Sequence, residues 1–180
     1  IPWGLLLGLV IFLALGITYS LTVPVFEAPD ELYHYFYVRH LASGNALPVQ
    51  DPAIEQPWAQ EGSQPPLYYA LAGLATAWIP TDDALLVSRQ NWHANIGVPM
   101  EPGNKNRIVH SFVEEWPYKG TKLAVHVARW LSLLLGMGTI ICTYYTARRL
   151  IPGQPAIALA AAAVNAFIPQ FIFISAAVSN

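Results

Sequence analysis

Formal charge is confined to the middle of this chain. It has nine Lys and Arg and eleven Asp and Glu in 180 residues, and all but Arg148 and Arg149 fall between Glu27 and Arg129. Three stretches, 1–26, 130–147 and 150–180, are left without any charge. About 20 mostly apolar residues cross the roughly 30 Å of hydrocarbon in a bilayer. The first and third stretches are long enough alone, and the second becomes so with residues 123–129 as its interfacial entry. A charged share of only 11% is low for a soluble domain. The expected fold is an all-α membrane protein with about three transmembrane helices, over 1–25, 123–149 and 155–179, in one membrane domain over 1–180. Between the first two lies a large polar loop, 26–122, with juxtamembrane helices near 29–43 and 65–80.

A cleaved signal peptide is a poor account of the first stretch. It has no basic leading region, is long for a signal core, and shows no small-x-small cleavage site before Glu27. With no initiating Met and an apolar run still in progress near Asn180, the chain is expected to be the amino-terminal fragment of a longer protein. Cys142 lies inside the second span and defines no disulfide framework. A net charge of −2 argues against nucleic acid as a partner.

Within the loop, Pro29, Asp30 and Glu31 form a helix-start signal, and Gly44-Asn45 a stop. The intervening segment is rich in Tyr and Phe and carries Arg39 and two His, a composition suited to the membrane interface. Ser63 is placed to cap a second helix that begins with Pro65-Pro66. Residues 81–122 read as irregular polar loop, punctuated by Pro99, Pro102, Gly103, Pro117 and Gly120. Pro169 is expected to bend the third span. If 65–80 does not cross, the stretch from Glu27 to Arg129 holds eleven acids against seven bases, and the positive-inside rule puts Arg148-Arg149 in the cytoplasm. If it does cross, 81–122 becomes cytoplasmic with five Lys and Arg. The charge rule allows both arrangements.

Asp30-Glu31 sits at a helix start just past a span. Such a carboxylate can serve as a general base, its pKa lowered by the helix end and raised by burial near lipid. The same acids stabilise a first helical turn with no chemistry at all. His34 and Tyr37 fall on the face of Asp30 at helical spacing. Gln64-Pro65-Pro66-Leu67-Tyr68-Tyr69 is a second cluster, and it also reads as a plain helix start with an aromatic belt. The five His lack helical metal-pair spacing and accompanying Cys, so a divalent metal has no support from ligand spacing and the cofactor is left unknown. Lys119, Lys122 and Arg129 gather where the loop re-enters the membrane. They suit a lipid phosphate, or simple snorkelling at a span end. Asn165 and Gln170 need only a neighbouring helix as partner.

In order along the chain come Pro29-Asp30-Glu31 after the first span, Gln64-Pro-Pro-Leu-Tyr-Tyr69, and Ala128-Arg-Trp-Leu-Ser-Leu-Leu-Leu-Gly136. Together they resemble the amino-terminal part of GT-C superfamily integral-membrane glycosyltransferases, which include protein O-mannosyltransferases and bacterial phospholipid-carrier-dependent enzymes. Asn95-Ile-Gly97, Pro102-Gly-Asn-Lys-Asn-Arg107, Glu115-Trp116-Pro117 and Pro169 through Asn180 are similar to one bacterial subgroup. The resemblance covers essentially the whole chain. It implies a multi-pass protein of the bacterial cytoplasmic membrane, with three spans here and the large loop extracytoplasmic. It implies an enzyme moving a sugar from a polyprenyl-phosphate-linked donor to an acceptor hydroxyl of unspecified kind, with inversion. Asp30 would be the general base and Glu31 its partner, with His34, Tyr37, Gln64, Tyr68 and Arg129 binding substrate and membrane lipid. Relatives often carry Lys or His where Gln64 stands, and a further acid after the terminal Ser-Asn. The fragment itself is expected to be inactive. The alternative is a non-catalytic membrane protein that binds or translocates a lipid-linked glycan, and a third reading is a membrane scaffold.

Overall fold

The computed structural model describes every residue except 52, 99, 101 and 111–115. Pro99 and Glu115, both noted in the sequence, therefore lie outside the described residues. The elements in chain order are α1 (Trp3–Thr22), α2 (Glu31–Ala42), a 3₁₀ turn (Ala59–Ser63), α3 (Leu67–Thr76), α4 (Ala84–Val87), α5 (Gly120–Leu150), α6 (Pro155–Ala166) and α7 (Pro169–Ser175). The described residues contain no strand, only an isolated bridge between Gln90 and Ile108. The chain divides into two units, one of residues 1–22 and 129–179, the other of 23–128.

The first unit holds the apolar helices. Helix α1 has 20 residues with a mean hydropathy of 2.2, and at 1.5 Å per residue it is about 30 Å long, one hydrocarbon thickness. Helix α5 has 31 residues and a mean hydropathy of 1.5, so it outruns that thickness and ends on Arg148 and Arg149. Both are long and apolar enough to cross a membrane. The third apolar stretch is not one straight helix, because α6 and α7 meet at 62°. Pro169 explains the break. It lacks an N–H and forces the residue before it out of helical geometry, and Ile168 is extended at φ −67°, ψ 116°. Two spans are therefore clear, and a third exists only if the bent pair counts as one.

Packing inside this unit depends on small residues. Helix α1 buries Leu5, Leu9, Phe12, Gly16 and Ser20, a stripe at helical period. Facing them are Leu133 and Ile140 of α5, and Ala158, Ala162 and Ala166 of α6. A Cβ added at Gly16 would collide with the Leu133 side chain, and one at Gly136 would lie 2.9 Å from Ser175 Oγ. Close backbone approach through Gly and Ala is how helices associate where no hydrophobic drive exists between them. Asn165 finds the expected neighbour, donating from Nδ2 to Thr143 Oγ1 at 3.2 Å.

The second unit is built on α2 and α3. Its helices start and stop close to the expected 29–43 and 65–80, but α3 has only ten residues. That is about 15 Å, half of what a crossing needs. Ser63 does not cap it. Its hydroxyl instead donates to Gln60 O at 2.8 Å, because residues 59–63 curl into the 3₁₀ turn, and α3 begins after Pro66 with no side-chain cap. The described residues of 81–122 are largely irregular, as composition suggests, with α4 as a single helical turn. Asp83 ties this loop to α5, accepting from Thr121 N (2.9 Å) and Thr121 Oγ1 (2.7 Å). Gly120 makes that approach possible. Its φ is +54°, and a Cβ there would run into the Asp83 carboxylate. Glu27 holds the same loop further back, taking Arg107 N (2.8 Å), Ile108 N (2.9 Å) and His110 Nε2 (3.0 Å). Arg107 in turn donates to Tyr33 OH at 2.7 Å.

Candidate functional site

The two adjacent acids at the start of α2 have opposite fates. Glu31 is fully buried, and its Oε2 accepts the Phe26 N–H at 2.9 Å, so it stitches the turn before the helix to the first helical turn. Asp30 stands at the N-cap with φ +56° and is exposed. Its carboxylate takes no hydrogen bond from the described residues, not even the usual N-cap bond. Left-handed backbone is tolerated best by Gly, Asn and Asp, and such sites concentrate where function holds a residue in place. Phe26 is also left-handed, at φ +68°, so residues 26–30 form a doubly constrained turn.

One helical turn on lies a buried polar cluster. His34 Nδ1 is 2.7 Å from Tyr69 OH and 3.7 Å from Glu61 Oε2. Tyr37 stacks on Tyr69 with ring centroids 3.9 Å apart, and Tyr68 meets Tyr69 edge-on. Burial pushes the His34 pKa down, against the upward pull of Glu61, Asp30 and Glu31. Burial, reinforced by Glu61, raises the Tyr69 phenol. A neutral imidazole beside a protonated phenol is satisfied when the phenol O–H donates to Nδ1, which leaves the His34 proton on Nε2.

Of the residues named from sequence, Asp30, Glu31, His34, Tyr37 and Tyr68 come together at α2 and α3. Gln64 is exposed, and its amide makes no hydrogen bond among the described residues. Arg129 belongs to the unit of apolar helices, where it is fully buried and donates from Nη1 to Ser20 O at 2.7 Å, a cation at the carbonyl end of α1. Sequence reasoning missed Glu61 and Tyr69. Tyr69 sat in the quoted motif beside Tyr68, and only helical register decides which of the two reaches His34. Nothing local marks Glu61 as buried. Among the described residues no group of three or more His, Cys, Asp or Glu is arranged to hold a metal.

The chain matches no protein-family model, no curated protein and no solved structure.

Proposed function

We propose that this chain is the loop-bearing part of a GT-C-type glycosyltransferase that uses a polyprenyl-phosphate-linked sugar, with Asp30 as its general base. The observation that carries the reading is the state of Asp30, an exposed carboxylate free of hydrogen bonds on a strained turn a few residues past α1. An acid serving as an N-cap would accept a backbone N–H of the first turn, and Asp30 accepts none. In the reaction, Asp30 takes the proton from the acceptor hydroxyl as its oxygen bonds to the anomeric carbon. The bond to the lipid phosphate breaks with inversion, and the phosphate leaves with the electron pair. Glu31 fixes the turn, and the neutral His34 with Tyr69 and Tyr37 forms a rigid wall beside it. Because Arg129 is fully buried, contact with the departing phosphate falls to Lys119 and Lys122. The loop 26–122 then lies outside a bacterial cytoplasmic membrane and Arg148-Arg149 inside.

Asp30→Asn in the full-length protein tests the reading. Loss of a general base costs about 10²- to 10⁴-fold in transfer, with membrane insertion and thermal midpoint unchanged. Near-normal transfer removes Asp30 from the chemistry. One observation favours the non-catalytic alternative, a lipid-linked-glycan binder or translocator: no side chain orients Asp30, whereas built catalytic groups are held by neighbours. Under that reading the Asn variant still binds the donor and supports its passage.

A further inference from the structure

The far side of α2 presents a second group of unused polar atoms. Arg39 lies roughly 140° around the helix from His34. It lines two cavities, of about 280 Å³ and about 200 Å³, at the small end for ligand pockets. Both also have Ser43 and Asp82 in their walls. The larger adds Phe36, His40, Asn45 and Trp58, and the smaller adds Tyr35 and Thr81.

The unspent hydrogen-bonding capacity is balanced in sign. Arg39 uses Nε on Thr81 Oγ1 at 3.1 Å, leaving its terminal nitrogens as free donors among the described residues. Among the described residues Asp82 accepts nothing and does not pair with Arg39. His40 donates from Nε2 to Ala46 O at 2.8 Å, and its Nδ1 makes no hydrogen bond among the described residues. Asn45 spends Nδ2 on His40 O at 3.0 Å and keeps its amide oxygen. Tyr35, 1% exposed, has a hydroxyl with no hydrogen bond. The Thr81 and Thr121 hydroxyls are its polar neighbours. The Trp58 ring, 4.5 Å from that of His40, and Phe36 supply aromatic surface.

This combination selects a ligand by exclusion. An anion would face Asp82 and the carbonyl end of α2, and a cation would face Arg39. Donors and acceptors beside aromatic rings suit a neutral molecule whose hydroxyls both give and accept bonds and whose C–H face is apolar. We propose that this pocket binds a neutral pyranose sugar, at a site separate from Asp30. The proposal does not depend on the transferase reading.

The test is saturation-transfer NMR on the full-length protein in a detergent without a sugar headgroup. The probes are glucose, mannose, galactose, N-acetylglucosamine and their trisaccharides, each at about 10 mM, above a millimolar Kd. Transfer to ring C–H protons is expected, with binding about tenfold weaker in Asp82→Asn, the equivalent of one lost hydrogen bond. Trp58→Ala and Gly62→Ala should weaken it similarly, since a Cβ at Gly62 strikes the Trp58 ring. Asp30→Asn should leave it unchanged. Transfer to none of the sugars, or transfer untouched by Asp82→Asn, overturns the proposal, as does inorganic phosphate displacing the sugar.

Discussion

His34 is neutral in the fold because burial outweighs three nearby carboxylates. Its folded pKa lies below the ordinary value of about 6.5, so in the window between the two the unfolded chain binds the proton first. Stability is full above about pH 6.5 and falls as pH drops through that window. Thermal midpoints measured from about pH 7.5 down to 5 should decline in the native protein and decline less in His34→Gln; equal slopes would remove His34 as the cause. Tyr69→Phe should cost about 1–3 kcal/mol, because it strands a buried ring nitrogen. At this scale the sequence was legible only in part. Asp30-Glu31 announced itself as a pair, but which acid is buried depends on one backbone dihedral, and no pattern of residue types encodes that sign. Glu61 was hidden for a similar reason, since its burial comes from a 3₁₀ turn in a Pro- and Gln-rich loop.

Elements were read more reliably than residues. The charge-free runs and Pro169 each act locally, so two spans and the α6/α7 break followed from them directly. The start of α3 did not, because Ser63 had two competing local uses, and the turn claimed its hydroxyl. Gly16 is where the helix contact is tightest. Gly16→Leu should destabilise the unit by about 1–3 kcal/mol through overpacking. Adding Leu133→Ala should return part of that loss in the double variant, because the two side chains occupy the same space. Melting curves in detergent for both single variants and the pair will decide; strictly additive losses would mean that the two sites do not meet.

For the whole molecule the testable quantity is sidedness. The proposed orientation has 26–122 on one side of the bilayer and Arg148-Arg149 on the other. In a Cys142→Ala background, Ser88→Cys should react with an impermeant maleimide from outside intact right-side-out vesicles. Gln154→Cys should react only after permeabilisation. The reverse pattern would invert the orientation, and labelling of both from one side would mean that α5 does not cross. What composition could not supply is the division into two units, since it arises from which distant segments meet, as at Asp83 and Thr121.

Such long-range meeting also has a timetable. The carboxylate of Glu27 waits for partners 80 residues further along the chain. At ribosomal speeds of about 5–20 residues per second, those partners emerge roughly 4 to 16 s after Glu27 does. Glu31 reaches Phe26 almost at once, being only five positions away. The turn that presents Asp30 is thus finished early on one flank and left open on the other for seconds during biosynthesis. In that interval a chaperone, a protease or a lipid headgroup can reach Glu27 before the loop closes over it.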